Sequence, residues 1–168
     1  MVPMEGGCMC GAIRYELREP YLSAYVCHCR ACQYVSGGGP AYMLTSPTDK
    51  VTITRGHPRT FWSIAEDGTR VARHFCNECG TPLFGESAKE PAIMSIKVGS
   101  LDDPTLFTPA AHQWVSEAQP WTPIDTTLHQ TAKGPELAVK VRRARKVHNA
   151  DNRTEAATPS NSPDAARA

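Results

Sequence analysis

The sequence predicts a mostly β domain, and three observations predict it. Apolar and polar side chains alternate with a period of two through several short runs. Gly, Pro and Asp break those runs at close intervals, as the turns of a β-rich domain require. The seven cysteines stand in three tight clusters rather than singly, so metal can staple segments that lie far apart in the chain.

Taken in order, the first strand is "AIRYELR". Ile13, Tyr15 and Leu17 alternate there with Arg14, Glu16 and Arg18. "VTITRG" (51–56), "RTFWSI" (59–64) and "TRVARHF" (69–75) follow, rich in β-branched and aromatic residues. In "IMSIKVGS", Met94, Ile96 and Val98 alternate with Ser95 and Lys97, and "AHQWVSE" (111–117) is a further strand. Before residue 100 the only helix expected is a turn or two around "RACQYVS". These elements place one folded domain over 1–132. Residues 133–168 form a basic and then polar tail, expected to be disordered because it holds almost no large apolar residue.

Charge and hydropathy exclude little but locate the chain. A net charge of +1 gives no reason to expect an acidic partner. No apolar run approaches the roughly 20 residues that span a bilayer, so no membrane partner is expected. "MVPMEGGCMCG" has neither a basic n-region nor an apolar h-region, and a cytoplasmic, reducing location is the expectation. The basic run "KVRRARK" (140–146) raises nucleic acid or another polyanion as a partner. No stacking aromatics interleave with its arginines, and nucleic acid is therefore disfavoured.

An odd number of cysteines and no visible secretory signal both argue against a set of disulfides. Cys8-x-Cys10 and Cys76-x-x-Cys79 together supply four thiolates, the closed tetrahedral set of a structural zinc. Glycines flank the first pair, and Gly80 follows the second, where it can take the positive φ of a tight turn around a metal. This ion would tie the start of the chain to a late hairpin and contribute folding free energy directly.

Cys27, Cys29 and Cys32 remain, in "CHCRACQ". On extended backbone Cys27 and Cys29 share a face while His28 points away, and a turn after Arg30 returns Cys32 to the same point. Three ligands and an exchangeable fourth place are the arrangement of a catalytic zinc, which makes two zincs per chain. Such a centre carries a net charge of about −1 and prefers a further soft donor, so a small-molecule thiol is its expected guest. A coordinated thiol loses its proton readily, and aldehydes add thiols. Two other readings stay open. His57, His74, His112 or a partner's residue could close a second structural site, or Cys29 and Cys32 could be a redox pair.

"GGCMCGAIRYE", "CHCRACQ", "RHFCNECGTPLF" and "VGSLDDP", in this order, resemble the glutathione-dependent formaldehyde-activating enzyme family, also called the centromere protein V/formaldehyde-activating domain. The resemblance runs from about Gly6 to Trp121. It implies a β-tent fold of short antiparallel strands stapled by zinc. It implies a structural site at Cys8, Cys10, Cys76 and Cys79 and a catalytic site at Cys27, Cys29 and Cys32. It further implies a carbon–sulfur lyase that joins glutathione to formaldehyde, or separates them, as S-hydroxymethylglutathione. A zinc-stapled scaffold that binds a protein or polyanion without catalysis is the alternative.

A glutathione site should offer cations to two carboxylates, and Arg30, Arg55, Arg59, Arg70, Arg73 and Lys97 are candidates. His112, Trp114 and Trp121 resemble the family's closing segment. They form either a wall over the metal, with His112 as a proton shuttle, or an ordinary core strand. Trp62 poses the same choice, and "SGGGP" (36–40) is either a lip for ligand or a plain loop.

Overall fold

A computed structural model describes residues 4–134; the 140–146 run lies outside the described residues. The period-two stretch "RYEL" forms β2 (Arg14–Leu17), with Tyr15 and Leu17 buried and Arg14 and Glu16 turned outward. It pairs antiparallel with β1 (Met4–Gly7) on one side and with β5 (Val51–Arg55) on the other, making a three-stranded sheet. Gly6 in β1 is required: a Cβ there would stand 2.4 Å from the Tyr15 ring and from the Ser100 carbonyl oxygen.

The larger sheet has eight strands. In spatial order these are β11 (His129–Thr131), β10 (Ala111–Gln113), β3 (Ser23–Cys27), β4 (Ala41–Pro47), β9 (Ile93–Lys97), β8 (Pro82–Ser87), β7 (Arg70–Phe75) and β6 (Arg59–Ile64). Its pairings are antiparallel except at β10, which runs parallel to both β3 and β11. The one α-helix among the described residues, α1 (Arg30–Val35), coincides with the turn expected around "RACQYVS".

Alternation along these strands gives the sheet two different faces. Ala24, Leu44, Phe84, Met94 and Ile96 point to one side and pack with Ile13, Tyr15 and Leu17 of the small sheet into the main core. Tyr15 meets Phe84 edge to face at 4.8 Å, and its hydroxyl lies 2.8 Å from Ser100 Oγ, so the buried phenol keeps a partner. Burial of each such side chain contributes about 1.5–3 kcal/mol. Tyr25, Cys27, Met43, Ser95, Lys97, Gly85 and Arg73 fall on the other side by register.

Two runs end sooner than their pattern suggests. "IMSIKVGS" leaves the sheet after Lys97 and tightens into a 3₁₀ turn over Val98–Ser100. "AHQWVSE" is a strand only to Gln113, because Trp114 adopts a left-handed backbone (φ 61°) and a 3₁₀ turn follows over Val115–Glu117. The Trp114 N–H donates to the Lys133 carbonyl at 3.1 Å, which holds the chain in that bend. β6 is one of the sheet's two edge strands, and its Phe61, Trp62 and Ile64 are exposed.

Candidate metal centre

Both cysteine groups are assembled. Cys8, Cys10, Cys76 and Cys79 bring their sulfurs within 4.8 Å of one another. Two matching turns deliver them: Gly11 N–H donates to the Cys8 carbonyl and Gly80 N–H to that of Cys76, each at 2.9 Å, and both glycines have φ 73°. Cys8 and Cys10 sulfurs are 3.5 Å apart, and Cys10 and Cys76 3.7 Å. Zn–S bonds of about 2.3 Å at tetrahedral angles separate sulfurs by about 3.8 Å, so this donor set fits zinc. The Ile13 N–H donates to Cys8 Sγ at 3.1 Å, and the Thr81 hydroxyl and N–H hold the Cys79 thiol down at about 6. Cys8 and Cys76 are buried in the main core, and this group joins the β1–β2 turn to the β7–β8 turn.

Cys27, Cys29 and Cys32 also converge within 4.8 Å, on the other face of the large sheet. Cys27 ends β3, Cys29 precedes the helix, and Cys32 lies in its first turn, with the Cys32 N–H donating to the Cys29 carbonyl at 2.8 Å. The neighbouring thiols of Cys27 and Cys32 hold Cys29 far below the usual thiol range, while Cys29 and Cys32 push Cys27 well above it. Three sulfurs this close cannot all ionise without a cation, so this soft donor set also fits zinc. Among the described residues no histidine or carboxylate completes the group. None of His57, His74 and His112, the side chains that could have closed it, lies within that group, although His74 lines the cavity beside it.

A cavity of about 1000 Å³ opens beside these three sulfurs. Its floor is the second face of the large sheet; α1 and the segment around Trp114 form walls. The four-cysteine group does not line it. Gly85, in the middle of β8, leaves the floor bare, since a Cβ there would make only ordinary contacts at 3.7 and 4.0 Å. Lys97 is buried and its Nζ donates to Met43 Sδ at 3.1 Å. Burial pushes its ammonium below the usual lysine range, the Cys32 thiolate pulls it back, and Arg73 pushes it down again. Of the six cations with a candidate role, Arg30, Arg73 and Lys97 line the cavity, and Arg55, Arg59 and Arg70 do not.

His112 lies outside the cavity, against the back of the cysteine loop. Asp125 N–H donates to His112 Nε2 at 3.2 Å, so the imidazole proton sits on Nδ1 and is donated to His28 Nε2 at 2.8 Å. Burial holds both rings below the ordinary histidine value, and His112 adds to the effect on His28. With both nitrogens engaged, His112 is a fastener of the core-strand kind rather than a shuttle over the metal. Trp114 does line the cavity, whereas Trp121 is exposed and Trp62 stacks under the Arg70 guanidinium at 4.5 Å. In "SGGGP", Gly37 and Gly38 take positive φ, and the Gly38 N–H donates to the Gln33 carbonyl, ending α1; none of the three glycines lines the cavity.

Three contributors carry no sequence signal of their own. Gln33 is buried, and its amide donates to the carbonyls of His28 and Glu117, both at 2.8 Å, locking the helix to the far wall. Gly85 reads as any strand glycine until the register shows which face it vacates. The His28–His112 contact joins positions 84 residues apart.

A sheet-built protein with one closed and one open cysteine group, each able to take a metal, is the class that this architecture defines. The sequence profile of the glutathione-dependent formaldehyde-activating enzymes matches residues 3–117, and the chain belongs to that family. A Halomonas elongata protein provisionally named glutathione-dependent formaldehyde-activating enzyme is 25% identical over 128 residues, 73% of this chain and 82% of the relative. A Talaromyces marneffei protein of the same provisional name is 28% identical over 83 residues, 49% of this chain and 43% of that one. A solved Rhodobacter sphaeroides structure, 24% identical, covers 59% of this chain and 88% of its own, with a TM-score of 0.47. Among the described residues no helix is long and apolar enough to cross a membrane.

Proposed function

We propose that this chain is a zinc-dependent carbon–sulfur lyase that forms or cleaves S-hydroxymethylglutathione or a related thiol–aldehyde adduct. The observation that carries the reading is that the three-sulfur group opens on the cavity while the four-sulfur group does not. The reading assigns two zincs per chain: Cys27, Cys29 and Cys32 hold the catalytic ion, and Cys8, Cys10, Cys76 and Cys79 hold the structural one, which the two assembled sulfur groups support. Zinc bound in the open group would supply a vacant coordination place that makes an incoming thiol acidic near neutral pH. Glutathione and formaldehyde enter as the partners through the family and the names of the relatives.

The chain's own residues bind, orient and exclude water. Val35, Phe61 and Val71 give the cavity apolar walls, and Trp114 closes the end by the thiols. Held there, thiol and aldehyde react as one bound pair rather than by chance encounter. On addition a sulfur–carbon bond forms, the carbonyl electron pair moves to oxygen and a proton follows it. Cleavage runs the same changes backwards. All seven cysteines are unpaired, which suits a reducing cytoplasm. The catalytic unit is the 1–132 domain, with Lys133 holding Trp114 from the start of the tail.

Exchange between labelled formaldehyde and S-hydroxymethylglutathione, followed by NMR with metal analysis on the same sample, tests the reading. We expect two zincs per chain and exchange well above the spontaneous rate, lost in Cys29→Ser. Two inert metals with no acceleration would leave only the binding scaffold.

A further inference from the structure

We infer that Lys97 and Arg73, on the same cavity face of the sheet beside the bare backbone of Gly85, are the seat for a carboxylate of the thiol substrate. The inference rests on the lyase reading and names residues that would select the thiol.

Register puts the two cations on one surface. Arg73 of β7 pairs with Gly85 of β8, and Gly85 pairs with Ser95 of β9. Lys97 lies two residues beyond Ser95, so its side chain leaves the same face of the sheet. Strands sit about 4.8 Å apart, which leaves the backbones of Arg73 and Ser95 roughly 10 Å from each other with no side chain between them at Gly85. All four residues line the cavity that holds Cys27, Cys29 and Cys32.

Neither cation meets a strong acceptor among the described residues. Arg73 Nε donates to the neutral Ser63 Oγ at 3.2 Å, and Lys97 Nζ donates to a thioether, a weak acceptor. Among the described residues the ion pairs include neither of them. Two positive groups that feel each other share one wall of the cavity, one of them on a buried side chain; the Cys32 thiolate offsets part of that repulsion, and an anion between them would offset more. A zinc with three thiolates carries about −1 and an incoming thiolate another −1, which the two cations balance at longer range. Guanidinium and ammonium donors at the floor add what a diffuse field does not, namely directed hydrogen bonds to carboxylate oxygens. The thiol would then lie with sulfur at the cysteines and its carboxylate over Gly85.

Calorimetric titration of the zinc-loaded full chain with S-methylglutathione tests this, since that ligand keeps both carboxylates and has no thiol to bind metal. We expect binding that weakens at least tenfold for its diethyl ester, and by a similar factor in Lys97→Met and in Arg73→Met. Cysteamine, a thiol without a carboxylate, should perturb the visible spectrum of the cobalt-substituted protein in wild type and both variants, with a smaller change of affinity between them than S-methylglutathione shows. Equal affinity for acid and ester in the wild type overturns the proposal without any need of a variant. So does unchanged S-methylglutathione affinity in both variants, which would leave the cations serving the thiolates alone. A third comparison separates this from the glutathione reading. If neither glutathione nor its S-methyl form binds, yet 3-mercaptopropionate outcompetes cysteamine in a Lys97- and Arg73-dependent way, the seat stands and glutathione falls. If 3-mercaptopropionate shows no such advantage either, the seat falls too.

Discussion

His112 donates from Nδ1 to His28 Nε2 over 2.8 Å, tying the parallel strand β10 to the residue between Cys27 and Cys29. His112→Phe orphans the buried His28 ring nitrogen and removes the acceptor of the part-buried Asp125 N–H. We expect a loss of about 1–3 kcal/mol by chemical denaturation. The pH dependence should change as well. Burial lowers the folded His112 from its ordinary 6.5, so the unfolded chain binds this proton first. The stability it contributes is whole above about pH 6.5 and drains as pH falls through the lowered folded value. At fixed zinc, wild type should therefore lose stability below pH 6.5 more steeply than His112→Phe. Parallel slopes would show that the ring is not held neutral.

The two cysteine groups should fail differently. Cys29→Ser removes one ligand at the cavity, and metal analysis should find one zinc gone with the fold and melting transition largely kept. Cys76→Ser removes a buried ligand that joins two distant turns. Structural zinc contributes on the order of 10 kcal/mol to small domains, more than most domains have to lose. Circular dichroism should show this variant unfolded, and identical behaviour of the two variants would refute the division of labour.

Gly85→Val fills the cavity floor without a clash, because the new Cβ meets only Ala72 O at 3.7 Å and Ser95 Cβ at 4.0 Å. A β-branched residue suits a central strand, so stability should shift by no more than about 1 kcal/mol. Affinity for S-methylglutathione should drop tenfold or more while zinc content holds. Unaltered affinity would mean that ligand does not cross this part of the sheet.

Truncation separates an enzyme from a polyanion binder. Ending the chain after Gly134 keeps every described contact, including Trp114 N–H to the Lys133 carbonyl and Lys133 Nζ to Glu66 Oε1 at 2.5 Å. Formaldehyde exchange should stay within twofold of the full chain. Ending after Ala132 cuts the bond that fixes Trp114, and exchange should fall. A large, salt-dependent loss in the longer truncation would point to the 140–146 run as the working part.

Much of this was legible because local chemistry decides it. Tyr15 and Leu17 declare a half-buried strand by period, and "CHCRACQ" declares three convergent sulfurs by spacing alone. The helix at Arg30–Val35 is short but begins where Cys32 has to turn back. What stayed hidden is long-range. β3 and β8 carry few alternating polar residues to mark them, because one face meets the core and the other the cavity, so neither face is bathed in water. The strand at 111–117 stops at Trp114 because of a carbonyl 19 residues later, which no window of sequence contains. Lys97 and Arg73 look like solvated strand charges until the register puts them on the cavity floor.

The sheet separates its two sulfur groups, with Leu44 and Ile96 packed on one side and Met43 on the other. On the two-zinc reading, a chelator would strip the ion that the cavity exposes and leave the one that ties the two turns. The chain would then outlast a zinc shortage as a folded, idle reserve that a returning ion alone restores to work.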